Sequence, residues 1–249
     1  MIDLHSHILP GLDDGAATLA DSRELARAAM ADGVRSIAAT PHVRAADYPT
    51  SVQAMEAGVA SVRHDFHEHG IEIEVLHGGE IALDRLADLS RDELERFTIG
   101  QTGRYLLVEF PYSGWPLGLE QRLFELRLAG IESLLAHPER NREVQSDPAR
   151  LEPLVTAGAL IQLTAASLDG RIGRSSQATA ENLLSRGLAH VIASDAHTPE
   201  VREVGLAAAA KSLKDKGLAH WLVEDVPAAI AAGDPVPTRP PRHKRRFGL

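Results

Sequence analysis

The sequence predicts an α/β protein built on a parallel sheet of seven strands, either closed into a barrel or doubly wound. Three observations carry this. Short β-branched or Leu-rich runs alternate with amphipathic helical segments along the chain. Nearly every histidine or acidic residue that interrupts an apolar run sits where one of those short runs ends. A length of 249 residues suits a single α/β barrel domain.

Strands are expected at residues 1–5, 36–40, 71–76, 105–109, 131–136, 159–163 and 190–193. Between the first two, Leu19, Leu25, Ala29 and Met30 recur at helical spacing before Gly33. Val52, Met55, Val59, Val62 and Phe66 repeat that spacing, and Gly70 stands where a helix-ending glycine belongs. Leu119, Leu123, Phe124 and Leu128 do so again before Gly130. No linker divides the chain, so residues 1–238 read as one domain, followed by a basic tail over 239–249. That tail holds five Lys/Arg between Arg239 and Arg246, in a Pro-rich setting with Pro235, Pro237, Pro240 and Pro241. The plain reading is a solvated, frayed end; the functional one is a docking arm for an acidic partner or a membrane surface.

Composition excludes several chemistries. There is no cysteine, which removes disulfides, thiolate metal sites and every cysteine-nucleophile mechanism. A formal charge of −9 argues against a general nucleic-acid-binding surface. No window approaches a membrane span, and the opening Met1-Ile2-Asp3-Leu4-His5 lacks the basic and apolar regions of a secretory signal, so a cytoplasmic location is expected.

The placement of polar residues points to one site. His5 and His7 follow the first strand, His42 the second, and Glu80 the third, while Glu109 ends the fourth. His137 follows the fifth, and Asp195 and His197 follow the seventh. In a parallel α/β fold those ends gather on one face, where active sites are built. Each piece alone has a bland alternative: His-x-His also arises by chance, a strand-ending Glu is often a solvated loop residue, and Asp-Ala-His can be a helix cap. Their repetition at six of the seven strand ends is what the bland readings leave unexplained. Asp13-Asp14-Gly15 reads either as a simple turn or as a loop that leans Asp14 back over the strand ends. His64, His67 and His69, at the end of a polar-faced helix, read as surface histidines.

The opening Asp-Leu-His-Ser-His-Ile-Leu-Pro-Gly-Leu-Asp-Asp-Gly resembles the signature of the PHP (polymerase and histidinol phosphatase) superfamily. Within it, the sequence is most similar to the bacterial protein-tyrosine phosphatases of capsule and exopolysaccharide biosynthesis. Later motifs follow in the same order, so the resemblance spans residues 3–202. It implies a distorted seven-stranded (β/α) TIM-like barrel carrying three divalent metal ions. By that similarity His5, His7, Glu80 and Asp195 hold one metal, and Glu80 also joins Glu109 and His137 on a second. Asp14, His42 and His197 hold the third, and Arg140 and Arg202 match the ligands of the substrate phosphate. The implied partner is the phosphotyrosine tail of a membrane-bound bacterial tyrosine autokinase.

Five histidines and four carboxylates without thiolates suit Mn²⁺, Zn²⁺ or Fe, and the resemblance favours Mn²⁺. Three divalent ions would outweigh four carboxylates, leaving a locally positive cavity in an acidic protein, which suits a phosphate dianion. The expected reaction is direct attack of a metal-bridging hydroxide on phosphorus. Two other readings stay open. One is a small-molecule phosphatase of the histidinol-phosphate kind, or a phosphodiesterase; the other is a non-catalytic metal-binding regulator of the kinase.

Overall fold

A computed structural model of the chain describes residues 1–198 and 205–241. Nine strand segments are found: β1 Ile2–Ser6, β2 Ser36–Ala39, β3 His42–Val43, β4 Glu74–Leu76, β5 Glu80–Ala82, β6 Tyr105–Glu109, β7 Glu132–Ala136, β8 Leu160–Thr164 and β9 Val191–Ala193. They account for the seven expected strands, because the second and third each pause and resume, as β2 then β3 and as β4 then β5. Thr40-Pro41 makes the first pause, where proline withholds a backbone donor. His77-Gly78-Gly79 makes the second, where a side chain on either glycine would be crowded, most of all at Gly79. A Cβ on Gly79 would stand 2.6 Å from the Phe97 ring, and one on Gly78 would stand 3.1 Å from the Thr40 methyl.

All pairings between these strands are parallel. One sheet runs β1-β2-β4, the other β3-β5-β6-β7-β8-β9. The second sheet returns to the first through the segment after β9: Asp195 N donates to His5 O at 2.9 Å, and His7 N donates to Ala196 O at 2.8 Å. The sheet therefore closes into a distorted barrel rather than lying open. Strands buried on both faces explain why β2, β6 and β8 read as largely apolar runs.

The helices pack outside. Helix Leu19–Ala31 starts at a capping box between Thr18 and Asp21. It buries Leu25, Ala26 and Ala29, while Met30 stays at the edge, 36% exposed. Helix Val52–Glu68 buries Val52, Met55, Val59, Val62 and Phe66, as its spacing predicts, and Gly70 follows at φ +63°. His64, His67 and His69 are exposed on its outer side.

Helix Leu119–Leu128 corrects one expectation. It packs through Leu119, Leu123 and Leu126, whereas Phe124 and Leu128 are 59% and 71% exposed. Leu123 and Leu126 sit four and seven residues after Leu119 and share its face. Leu128 sits nine residues on, about half a turn away at roughly 100° per residue, so both apolar sets cannot face the barrel.

Residues 205–241 pack back on the barrel. Trp221 donates its ring N–H to Pro237 O at 3.1 Å, and Arg239 lies over the Trp221 ring while donating to Ala189 O and Leu184 O. The basic stretch from Arg242 onward lies outside the described residues. Among those that are described, no helix is long and apolar enough to cross a membrane.

Candidate metal centre

The barrel brings the nine candidate ligands into one cluster, seven of them buried, with Glu109 partly buried and Asp14 at its mouth. His5 ends up beside His7 because β1 alternates its side chains, placing the two Nε2 atoms 3.2 Å apart. Glu80, at the start of β5, receives histidines from three further directions. Its Oε2 lies 3.3 Å from His5 Nε2 and 2.7 Å from His42 Nδ1, and its Oε1 lies 2.8 Å from His137 Nε2. Asp195 Oδ1 stands 3.5 Å from His5 Nε2 and 3.3 Å from His7 Nε2. Asp14, whose side chain is 45% exposed, reaches back to His42 Nε2 at 3.4 Å and His197 Nε2 at 3.3 Å. Glu109 closes the set, with Oε2 4.0 Å from His42 Nδ1.

Two ligands sit on strained backbone. His137 has φ +39° and Asp195 φ +53°, left-handed values that non-glycine residues adopt at a cost of about 1–3 kcal/mol. His137 directly follows β7 and Asp195 comes two residues after β9, and both side chains reach the cluster from these turns.

Three groupings place ligand atoms within 4.8 Å of one another: His7-Asp14-His42-His197, His5-His7-Glu80 and His42-Glu80-Glu109. They overlap with the three sets implied by resemblance but differ in detail. His7 also stands with the Asp14 group, and His42 rather than His137 stands beside Glu109.

The electrostatics suit divalent cations. Burial would raise the Glu80 carboxyl, but His5, His42 and His137 outweigh it and hold it well below the usual carboxylate range. Burial pulls the His7 imidazole down, yet Asp13, Asp195 and Glu80 carry it up to about 10. His42 is likewise lowered by burial and lifted by Glu80 and Asp14, to about 9. Hydrogen bonds from His197 and His42 hold the Asp14 carboxyl well below its ordinary value. The carboxylates thus draw positive charge into a dry cavity. His42 Nδ1 and Glu80 Oε2 are buried and close, yet neither has a hydrogen-bond partner. Buried N and O atoms this close that make no hydrogen bond fit a shared cation, and an all N/O donor set fits Mn²⁺, Zn²⁺ or Fe.

Several surrounding residues escape notice in the sequence. Asp13 holds His7 Nδ1 at 2.6 Å and accepts from the backbone N–H of His42 and Gly15. Gln162, the polar residue inside the apolar run of β8, places its Oε1 3.1 Å from His5 Nδ1. Its position in that run was the available signal. Arg44 clamps Glu109 through two nitrogens and also approaches His42 Nε2. Tyr48 stacks on His42 and Tyr112 on His137, each with ring centroids 5.6 Å apart. Glu109 lies 65 residues from Arg44 and Gln162 lies 157 from His5, so spacing gives no hint of these pairs.

Of the two candidate arginines, Arg140 lies at the rim. Its Nη1 donates to Asp195 Oδ2 at 2.8 Å, and its guanidinium lies 4.5 Å over the Tyr112 ring. Its sequence neighbour Glu139 is fully buried and turned away, accepting from Thr164 N and Ser167 Oγ. Arg202 lies outside the described residues.

Comparison with known proteins supplies the context. Residues 1–225 match the family described as capsular polysaccharide synthesis, CpsB/CapC. The tyrosine-protein phosphatase YwqE of Bacillus subtilis is 38% identical over 202 residues, covering 81% of this chain and 79% of its own. The tyrosine-protein phosphatase CpsB of Streptococcus pneumoniae is 28% identical over 209 residues, covering 81% and 85%. A solved structure from work on YwqE of B. subtilis and CpsB of S. pneumoniae, described there as unique metal-dependent tyrosine phosphatases, superposes with a TM-score of 0.87. It is 33% identical, with 99% of this chain and 100% of that one covered. With its closed parallel barrel and its histidine–carboxylate cluster, the chain belongs to the CpsB/CapC family of capsular polysaccharide synthesis.

Proposed function

We propose that this metal-dependent tyrosine phosphatase removes phosphate from phosphotyrosine on the tail of a membrane-bound bacterial tyrosine autokinase in capsule or exopolysaccharide synthesis. The observation that carries the reading is the convergence of His5, His7, His42 and His137 around the carboxylates of Glu80 and Asp195, with Arg140 at the rim.

His5, His7, Glu80 and Asp195 would hold one cation, Glu80, Glu109 and His137 a second, and Asp14, His42 and His197 a third. Mn²⁺ is the first choice of metal, with Zn²⁺ and Fe as alternatives. When bound, such ions supply a strong nucleophile from water near neutral pH and offset the charge on the phosphoryl group, in a reaction that needs roughly 20 kcal/mol of catalysis. The chain's own residues do the rest. Asp13 and Gln162 fix the outer nitrogens of His7 and His5, so the inner nitrogens face the cluster. Arg140, released from Asp195, would take the non-bridging phosphate oxygens through charge-assisted bonds. Tyr48 and Tyr112, stacked on ligands across Glu80 from each other, border the mouth with aromatic surface suited to an aryl ring. A phenol of pKa near 10 is a good enough leaving group to depart without a dedicated general acid.

The test is a metal screen on three substrates. Mn²⁺-supplemented protein should hydrolyse a phosphotyrosine peptide well above histidinol phosphate and leave single-stranded DNA intact. Preference for histidinol phosphate or for the phosphodiester would replace this reading, and metal uptake without turnover of any of them would favour a regulator.

A further inference from the structure

Beside the cluster lies a cleft of about 380 Å³, lined chiefly by Tyr112, Arg140, Arg142, Gln145, Arg174 and Ser175. Tyr112 and Arg140 belong equally to the rim of the metal centre, so the cleft opens directly off the site where phosphate would be cleaved. Its charge is unusual for a protein of net charge −9. Arg140 is engaged by Asp195, but the side chains of Arg142 and Arg174 are exposed and form no ion pair among the described residues. Other arginines near the site, such as Arg44, are paired with carboxylates. The 13-residue helix Arg174–Arg186 also begins here. Its cap, Gly173, provides no side-chain bond to the first amides, so the positive end of the helix adds to the field.

We propose that this cleft is a subsite for an anionic side chain flanking the phosphotyrosine of a peptide substrate, with Arg142 and Arg174 as its charged walls. The inference rests on the reading of the substrate as a phosphotyrosine peptide. An extended peptide advances about 3.3 Å per residue, so a carboxylate or second phosphate one to three positions from the reacting tyrosine reaches the cleft while the first phosphate sits at the cluster. Two exposed guanidiniums recognise either anion through charge-assisted bonds. Long-range attraction of the same sign speeds encounter and weakens with salt. The subsite would thus favour acidic or multiply phosphorylated segments over neutral ones, without taking part in bond breaking.

The full chain loaded with Mn²⁺ tests this with four substrates. Three are peptides of one sequence, with the phosphotyrosine flanked by Glu, by Gln, or by a second phosphotyrosine; the fourth is p-nitrophenyl phosphate. The expected result is a KM about tenfold lower for the two anionic peptides than for the Gln peptide, with kcat little changed. Combined Arg142→Gln and Arg174→Gln substitution should erase that preference and leave p-nitrophenyl phosphate turnover intact. A doubly phosphorylated peptide that outperforms the Glu peptide assigns the subsite to phosphate; equal behaviour assigns it to anions in general. Equal KM for the Glu and Gln peptides in the unaltered protein overturns the subsite while the phosphatase reading stands. Preference retained in the double variant, or loss of p-nitrophenyl phosphate turnover by it, also overturns the subsite. Cleavage of p-nitrophenyl phosphate but of no peptide overturns the proposed substrate, and the subsite with it.

Discussion

Replacing Asp13 by Asn perturbs the cluster without removing a ligand. Asp13 Oδ2 accepts from His7 Nδ1 at 2.6 Å and from His42 N at 3.0 Å, while Oδ1 accepts from Gly15 N at 2.9 Å. An amide cannot serve all three. If its oxygen stays with Gly15, its NH₂ group confronts two donors; if it turns, Gly15 loses its partner in the tight loop that carries Asp14. A Cβ on Gly15 would stand 2.2 Å from His7 O, so the loop has no room to adjust there. His7 would lose the carboxylate that fixes its ring, and Asp14 its placement at the mouth. Changes to partners of this kind cost about 10- to 100-fold in metal affinity or activity, equivalent to about 1.4–2.7 kcal/mol. Titration of the metal-free protein with Mn²⁺, followed by calorimetry, should therefore show weakened binding, with far-UV circular dichroism unchanged. Affinity within twofold of the parent, with the fold retained, would refute the claim that Asp13 sets the donor nitrogen of His7.

Other expectations follow from the same geometry. Asp195→Ala should abolish turnover of an aryl phosphate while secondary structure persists; retained activity would count against the cluster as the catalytic centre. Arg140→Ala should lower kcat/KM by 10- to 100-fold, about 1.4–2.7 kcal/mol, and unchanged kinetics would remove it from phosphate binding. Leu126→Ala, at a buried position, should cost about 2–4 kcal/mol in urea unfolding, whereas Phe124→Ala on the exposed face should change stability by under about 0.5 kcal/mol. Comparable losses at both positions would contradict the observed packing of that helix. His190 should make stability pH-dependent. Burial, and then Arg239, depress its pKa from 6.5 to about 4, and its Nδ1 accepts from Ile161 N at 3.2 Å. The unfolded chain therefore takes the proton first. The contribution is complete above about pH 6.5 and is lost as pH falls towards 4, up to about 3 kcal/mol. A urea midpoint with the same slope in His190→Gln over that window would exclude His190 as the cause.

Much of the architecture is legible in one dimension because its signals are local. Apolar runs at Tyr105–Glu109 and Glu132–Ala136, and the spacing of Val52, Met55, Val59, Val62 and Phe66, reveal strands and a helix directly. The same locality marks the ligands. His5, His42, His137 and Asp195 stand out since a polar residue at the end of an apolar strand has little reason to be there unless the strand ends meet. The helix at Leu119–Leu128 shows the limit: two apolar sets compete for one face, and only the barrel surface selects between them.

Chain order alone establishes the alternating strands and helices, their single parallel direction and the choice of polar residues that face one another. Tertiary structure decides that the sheet closes, through Asp195 N and His7 N onto backbone oxygens about 190 residues apart in sequence. It also decides that Asp13, Gln162 and Arg44 support the ligands, and that Arg140 answers to Asp195 rather than Glu139. The reason is physical. Local patterns record how a segment buries its own surface, whereas the pairing of buried polar groups depends on which distant segments the closed barrel brings within hydrogen-bond reach.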